Sequence, residues 1–361
     1  MSCRMKKFSL RQFSYFDDQK DITKNFSGNQ VVDKLNEIMV LEFRRIHLET
    51  TRAIYNINLS KKGKVNISHN KVDSPSDINL SHDHQKTRIL SLDNSLNFLQ
   101  KINIATLDGK IKADRQDKFV QINEFLRLIE KTDVIKMFSK SPINIVDLGC
   151  GNAYLTFATY HYFNNILNIP AQLTGVDIKA DLLEKHRKIV SSLHWNKFIF
   201  QESKIVDFEV DKPPDIVLSL HACDTATDET LYKAVKWQSK MIFSSPCCHH
   251  NLQVQLSKVD TPPFFKAIFR HNILRERMGD ILTDTFRALI LKIMGYQTDV
   301  IQFAPLRYTA KNLMIRAVKS TNPRNKEYIQ EYRELKEFCG VTPYLEKLFK
   351  QNLSHLTLNP F

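Results

Sequence analysis

Long apolar runs are missing from this chain. No stretch approaches the roughly 18 consecutive apolar residues that a membrane-spanning helix needs, and the mean hydropathy is -0.32. Met1 to Leu10 is basic but lacks the apolar centre of a secretory leader, so the expectation is a cytoplasmic protein without membrane contact. Cysteine is scarce: six residues, at 3, 150, 223, 247, 248 and 339, with no framework spacing. That excludes a disulfide scaffold and favours reduced thiols. Glycine is also sparse, with only two of nine before Gly109. No internal repeat and no low-complexity tract is present.

Acidic residues are outnumbered, 39 against 52 basic ones, for a formal net charge of +13. Residues 1–140 hold 25 basic and 17 acidic residues and so carry 8 of that surplus. Such an excess favours a polyanionic partner, with RNA the expected one and no stable protein partner. A lysine-rich composition arising from nucleotide bias would give the same number without any partner.

Periodicity divides the chain into three zones. Residues 1–140 read as a basic, mostly helical amino-terminal region. From Val32 to Ile54, Leu35, Ile38, Met39, Phe43 and Ile46 recur at three- and four-residue steps. Residues 58–88 are polar and read as a connector. A second amphipathic helix is expected from Asp117 to Met137, with Phe119, Ile122, Phe125, Leu126 and Ile129 on one side. From Ile143 short apolar runs alternate with helical stretches, the pattern of βαβ units. The expected strands are Ile143–Leu148, Leu173–Val176, Phe198–Phe200, Ile216–Leu220, Met241–Ser244, Thr298–Phe303 and Leu313–Ala317. Residues 141–320 are thus a seven-stranded α/β domain, and residues 321–361 a tail of two short helices around Gly340 and Pro343.

The first strand runs into Asp147-Leu-Gly149-Cys-Gly151-Asn152-Ala153. Glycines there let the chain turn sharply and let a ligand approach backbone N–H groups. The helix that follows offers free N–H groups to an anion. A glycine pattern alone is a weak signal, and the third position is Ala153. Asp147 precedes the turn, where a dinucleotide fingerprint usually has no acid. The second strand ends in Gly175-Val-Asp177, placing a carboxylate where ribose hydroxyls would bind, about 30 residues from Asp147 instead of the roughly 20 of the NAD fingerprint. The third strand ends in Gln201-Glu202, polar groups able to meet an adenine. Together these predict a class I, Rossmann-like methyltransferase sheet that binds S-adenosylmethionine through Asp147, Gly149, Gly151, Asn152, Asp177 and Glu202.

The segment Asp147-Leu-Gly-Cys-Gly-Asn-Ala-Tyr-Leu-Thr-Phe157 resembles the first motif of the methyltransferase-domain-32 family, which includes relatives of methyltransferase-like protein 25. The resemblance extends to His82-Asp-His-Gln-Lys86, Asp117-Lys-Phe-Val-Gln-Ile-Asn123, Leu220-His-Ala-Cys-Asp-Thr-Ala-Thr-Asp228, Pro246-Cys-Cys-His-His250, Arg275-Glu-Arg277, Thr283-Asp284, Arg287 and Lys311-Asn312. The paired His-x-Cys and Cys-Cys-His-His elements are similar to elements of eukaryotic ribose methyltransferases acting on the tRNA acceptor stem. The resemblance implies S-adenosylmethionine as cofactor and leaves the acceptor undefined, with tRNA or rRNA favoured by charge, a protein side chain as the alternative, and a non-catalytic RNA-binding protein that keeps the cofactor fold as a second alternative.

His221, Cys223 and Asp224 follow the fourth strand; Cys247, Cys248, His249 and His250 follow the fifth. Neighbouring strands of such a sheet bring both segments to the same edge. His221, Cys223, Asp224, Cys247 and His249 are therefore the candidate acceptor-side residues. A histidine or Asp224 could take a proton from the acceptor. A thiolate at Cys247 or Cys223 could instead add to a pyrimidine ring. No CxxC or HxxxH spacing is present and no metal is expected, although Cys223 and Cys247 with two histidines could assemble a site across strands. Buried packing is the remaining reading of these residues. Arg275, Arg277, Asp284 and Arg287 fall on an expected helix, where Arg and Asp three or four apart can pair on one face; the exposed arginines could instead contact phosphate. His82, His84, Lys86, Arg88, Lys112, Arg115 and Lys118 would suit a groove that follows a phosphate backbone, or a solvated face.

Overall fold

In the computed structural model the apolar runs from Ile143 onward become strands of one sheet. The structure describes residues 11–16, 21–41, 43–49, 53–60, 64–71, 88–132, 138, 142–220, 222–259, 265–303, 312–320 and 326–352. The chain forms two units, residues 1–85 and 86–361.

The first unit corrects the helical reading of the amino-terminal region. It holds an antiparallel hairpin of β1 (Arg11–Phe16) and β2 (Asp21–Phe26), then α1 (Asn29–Met39). A three-stranded antiparallel sheet follows, built from β3 (Arg45–Glu49), β4 (Ala53–Leu59) and β5 (Val65–Lys71). Phe43 and Ile46 fit a helical interval by coincidence, because the helix has already ended at Met39. From there the apolar residues alternate: Ile46 and Leu48, then Tyr55, Ile57 and Leu59, then Val65 and Ile67. The intervening asparagines and serines made β5 look like a connector, yet a period of two in apolar side chains is a strand signal whatever polar residues separate them.

The second unit begins with α2 (Leu92–Lys101) and α3 (Gln116–Glu130). Ser91 caps α2 in a reciprocal box with Asn94. All five apolar residues assigned to the inner side of α3 are buried. These two helices pack into the core of the sheet domain, so the division falls near residue 85 instead of near 140.

The sheet contains β6 (Ile143–Leu148), β7 (Ala171–Asp177), β8 (Phe198–Glu202), β9 (Ile216–Ser219), β10 (Met241–Ser244), β11 (Tyr296–Gln302) and β12 (Leu313–Lys319). Its spatial order is β11-β12-β10-β9-β6-β7-β8, parallel except that β12 runs antiparallel to both its neighbours. This is the seven-stranded class I arrangement expected from the sequence. Between the strands lie α4 (Tyr154–His161), α5 (Ala180–Ser192), α6 (Thr225–Lys236), α7 (His250–Leu256), α8 (Lys266–Phe269) and α9 (Asn272–Ile293).

The central strands are apolar on both faces because both are covered. Ile143, Ile145, Leu173, Ile216, Leu218, Met241 and Phe243 face one core, with α2, α3 and α4. Val146, Leu148, Val176, Val217 and Ile242 face the other, with α6 and α9. Burying a side chain of this size contributes roughly 1.5–3 kcal/mol. The tail helices α10 (Lys326–Cys339) and α11 (Tyr344–Asn352) belong to the second core: Tyr332 meets Phe286, and Phe349 meets Tyr232. Buried Glu346 ties the pair together, accepting from Tyr332 Oη at 2.6 Å and Lys336 Nζ at 2.7 Å. No helix among the described residues is long and apolar enough to cross a membrane.

Candidate active site

Strand order reverses between β6 and β9, so the crevice of this sheet opens at their carboxyl ends. Gly149 and Gly151 both take positive φ, 72° and 52°. A Cβ on Gly149 would lie 3.2 Å from the Cβ of Ala222, so the turn after β6 abuts the segment after β9. Ala153 adopts φ 55° just ahead of α4. That conformation costs a non-glycine residue on the order of 1–2 kcal/mol, so the turn keeps its shape despite the missing glycine.

Asp177, at the end of β7, holds the turn from the other side. Its Oδ2 accepts from Gly151 N–H at 2.8 Å and its Oδ1 from Lys179 N–H at 3.1 Å. Glu202 lies opposite Asp177 in the β7–β8 register and is exposed, as is Asn152. Asp147 is fully buried. Its Oδ2 accepts from Thr156 Oγ1 at 2.6 Å, whereas Oδ1 has no hydrogen-bond partner among the described residues. Burial pushes this carboxyl up to about 7, opposed by the Thr156 hydrogen bond and assisted by the nearby charge of Asp177.

Sequence reasoning missed His186 on α5. Burial holds its ring below the ordinary histidine value, so it is neutral and Nε2–H donates to Gly151 O at 2.9 Å. Nothing in its spacing distinguishes it from any other histidine on a helix face. It was missed because its role exists only once α5 packs beneath the glycine turn.

On the far side of the crevice, β9 and β10 pair in register with Ser219 opposite Ser244. The chain just beyond them brings Cys223 and Cys247 together, Sγ to Sγ 2.9 Å, with Cys248 Sγ 3.6 Å from Cys247 Sγ. Burial, then the hydrogen bonds with Cys223 and Cys248, pushes the Cys247 thiol well above its ordinary value. His221 lies outside the described residues, as do Lys311, His82, His84 and Lys86.

Asp224 is half-buried and held at φ 50°, ψ -119°, a strained conformation for a residue with a side chain. Two contacts keep it there: Asn251 N–H donates to its Oδ1 at 3.0 Å, and Arg287 Nη2 donates to its carbonyl at 2.8 Å. Arg287 is itself buried, and gives two 2.9 Å hydrogen bonds to Asp228 and one of 3.2 Å to Asp284. The network reaches His249, whose Nε2 hydrogen-bonds Asp284 Oδ1 at 2.9 Å. His249 Nδ1 lies 3.0 Å from Asp280 Oδ1 without hydrogen-bond alignment. His249 is thus buried against α9, apart from the thiols. The expected pairing of Asp284 with Arg287 is present, while half-buried Arg275 donates to Asn272.

The basic residues of the 112–118 segment are largely engaged locally. Lys112 donates to Asn103, Arg115 pairs with Asp114 at 3.2 Å, and Lys118 lies over the Tyr154 ring at 5.7 Å.

Residues 117–255 match the Methyltransf_32 family model, described as a methyltransferase domain. A Saccharomyces cerevisiae protein named "Probable S-adenosylmethionine-dependent methyltransferase CRG1" is 24% identical over 166 residues, which are 45% of this chain and 54% of that protein. The chain thus spans about half the length of the curated relative it matches. Among solved structures, magnesium protoporphyrin IX methyltransferase from Synechocystis PCC 6803 with bound SAH is 16% identical at a TM-score of 0.36, covering 63% of this chain and 95% of that one. The N-methyltransferase NodS from Bradyrhizobium japonicum WM9 is 12% identical at 0.35, covering 58% and 99%.

Proposed function

We propose that this chain, which carries a methyltransferase domain of the Methyltransf_32 family over residues 117–255, methylates RNA with S-adenosylmethionine, tRNA or rRNA being the favoured class. One observation carries the cofactor assignment. The glycine turn, orphaned Asp147 Oδ1 and Asp177 converge at the point where strand order reverses. The residues fit the cofactor. A buried carboxylate oxygen without a partner suits a cationic amino group, and the turn leaves room for a ligand that side chains would obstruct. Asp177, already oriented by Gly151 N–H, has the chemistry to receive ribose hydroxyls, with Asn152 and Glu202 at the rim.

S-adenosylmethionine supplies an electrophilic methyl group on a sulfonium, so the protein's task is to orient the acceptor in line and to manage its proton. Asp224 offers a carboxylate at the end of β9, fixed by Asn251 and Arg287, as the candidate base. His249 acts as a positioning residue through Asp284 and Arg287, without reaching the acceptor itself.

The RNA assignment rests on the net charge of +13. In the first unit, Arg44, Arg45 and Lys64 line an open groove with Asn58 and Asn66, a composition suited to phosphate oxygens.

Transfer of radiolabelled methyl into total RNA and protein from cells lacking this gene tests the reading. Label in one RNA size class is the expected result, and nucleoside mass spectrometry then identifies the atom. Label confined to protein replaces RNA with a protein substrate. Label in neither, with cofactor binding intact, leaves the fold as a binding module or assigns a small-molecule acceptor.

A further inference from the structure

We propose that Cys223, Cys247 and Cys248 form a three-thiolate site for a soft divalent cation of the zinc type, at the edge where β9 and β10 end. Their Sγ atoms all lie within 4.8 Å of one another, with measured separations of 2.9 Å and 3.6 Å for the two pairs that share Cys247. Tetrahedral zinc with Zn–S bonds of about 2.3 Å holds its sulfurs about 3.8 Å apart. The cluster needs shifts of only about an ångström to reach that geometry, within the reach of a χ1 adjustment.

Packing does not account for the cluster. Cysteines kept for packing are among the most buried residues, and Cys150 and Cys339 follow that rule. Cys223 and Cys248 are exposed and Cys247 is half-buried. Convergence is imposed by the fold: β9 and β10 are hydrogen-bonded neighbours with Ser219 opposite Ser244, and the thiols follow a few residues later. Each segment is then pinned. Arg287 and Asn251 fix Asp224 directly after Cys223, and buried Pro246 directly precedes Cys247. His249, adjacent to Cys248, is not part of the cluster: its Nε2 hydrogen-bonds Asp284 Oδ1 and its Nδ1 lies beside Asp280. Among the described residues the cluster supplies three ligands, which leaves one tetrahedral position for a further donor, water or an exogenous ligand. Cation selectivity follows from sulfur donors, which favour zinc over magnesium or calcium.

The site stands independently of the methyl-transfer reading, because its test reads metal and not turnover. The full chain is stripped with a chelator under reducing, oxygen-free conditions and titrated with Co²⁺ and then Zn²⁺. About one Co²⁺ per chain with a thiolate-to-metal charge-transfer band is expected, with Zn²⁺ displacing the band. Cys247→Ser abolishes the band, and Cys339→Ser retains it. Should Cys247→Ser fail to fold, alkylation of the wild-type chain with and without Zn²⁺, mapped by mass spectrometry, reads the same point: Zn²⁺ protects positions 223, 247 and 248 together. No charge-transfer band, a band unchanged in folded Cys247→Ser, or alkylation indifferent to Zn²⁺ overturns the proposal. So does a Cys223–Cys247 cross-linked peptide from protein isolated without oxidant and free of metal.

Discussion

The backbone N–H of Gly151 donates to Asp177 Oδ2 across 2.8 Å, fastening the turn after β6 to the end of β7. The carboxylate therefore shapes the glycine turn as well as offering itself to a ligand. Asp177→Ala is expected to weaken S-adenosylhomocysteine binding at least ~10-fold by calorimetry, since it removes a charge-assisted hydrogen bond of about 1.5–3 kcal/mol. Asp177→Asn, which keeps an acceptor for Gly151, should fall between. Unaltered affinity in the alanine variant would remove Asp177 from the site.

Asp147 sets a pH dependence. Its folded value of about 7 lies above the ordinary 3.8, so the folded chain holds the proton more tightly than the unfolded one. Its own contribution to stability is greatest below about pH 4, falls as pH rises toward 7, and then levels, a loss on the order of 4 kcal/mol. Asp147→Asn should flatten that slope in chemical denaturation series. A bound cationic amino group favours the ionised carboxylate, so cofactor binding near pH 6.5 should release a proton, read from calorimetry in buffers of different ionisation enthalpy. An identical pH slope in wild type and Asp147→Asn would contradict the assignment.

Arg287 and Asp228 are both buried and joined by two hydrogen bonds of 2.9 Å. Arg287→Met strands the carboxylates of Asp228 and Asp284, and should cost about 3–5 kcal/mol in denaturant unfolding. Asp228→Asn should cost less. The double variant should recover part of the loss, a coupling that two independent sites would not display.

Gly175 lies under the aromatic cluster of α4 and β8. A Cβ there would sit 2.6 Å from Phe200 Cε1 and 3.4 Å from Cys150 Sγ. Gly175→Ala is expected to destabilise by about 1–3 kcal/mol through overpacking. Gly175→Ala with Phe200→Leu should recover stability if the ring is the obstacle, and thermal unfolding of both variants decides it.

The sheet domain was legible because its signals are local. Continuous apolar runs such as Ile143–Leu148 and Met241–Ser244 mark strands covered on both faces, and Asp147, Gly149 and Asp177 sit at strand ends that topology must bring together. The first unit was misread because Asn66, Ser68 and Asn70 conceal the alternation of Val65, Ile67 and His69. His249 is placed on the acceptor side by sequence because its segment follows the fifth strand. Its ring direction is decided by Asp280 and Asp284 on a helix more than thirty residues later, which spacing alone does not reveal. The contact between Cys223 and Cys247 depends likewise on the register of β9 with β10.

Strand β12 is the last of the sheet in sequence, yet it lies between β10 and β11. During synthesis, therefore, the edge of β10 from Met241 to Ser244 stays open until Leu313–Lys319 has left the ribosome, and Tyr296–Gln302 has nowhere to dock. A growing chain displays an apolar edge able to pair with its neighbours for the interval in between. Closing it is a long-range step, slow by topology. Premature termination before residue 313 would leave the β10 edge unpaired and the product prone to aggregation.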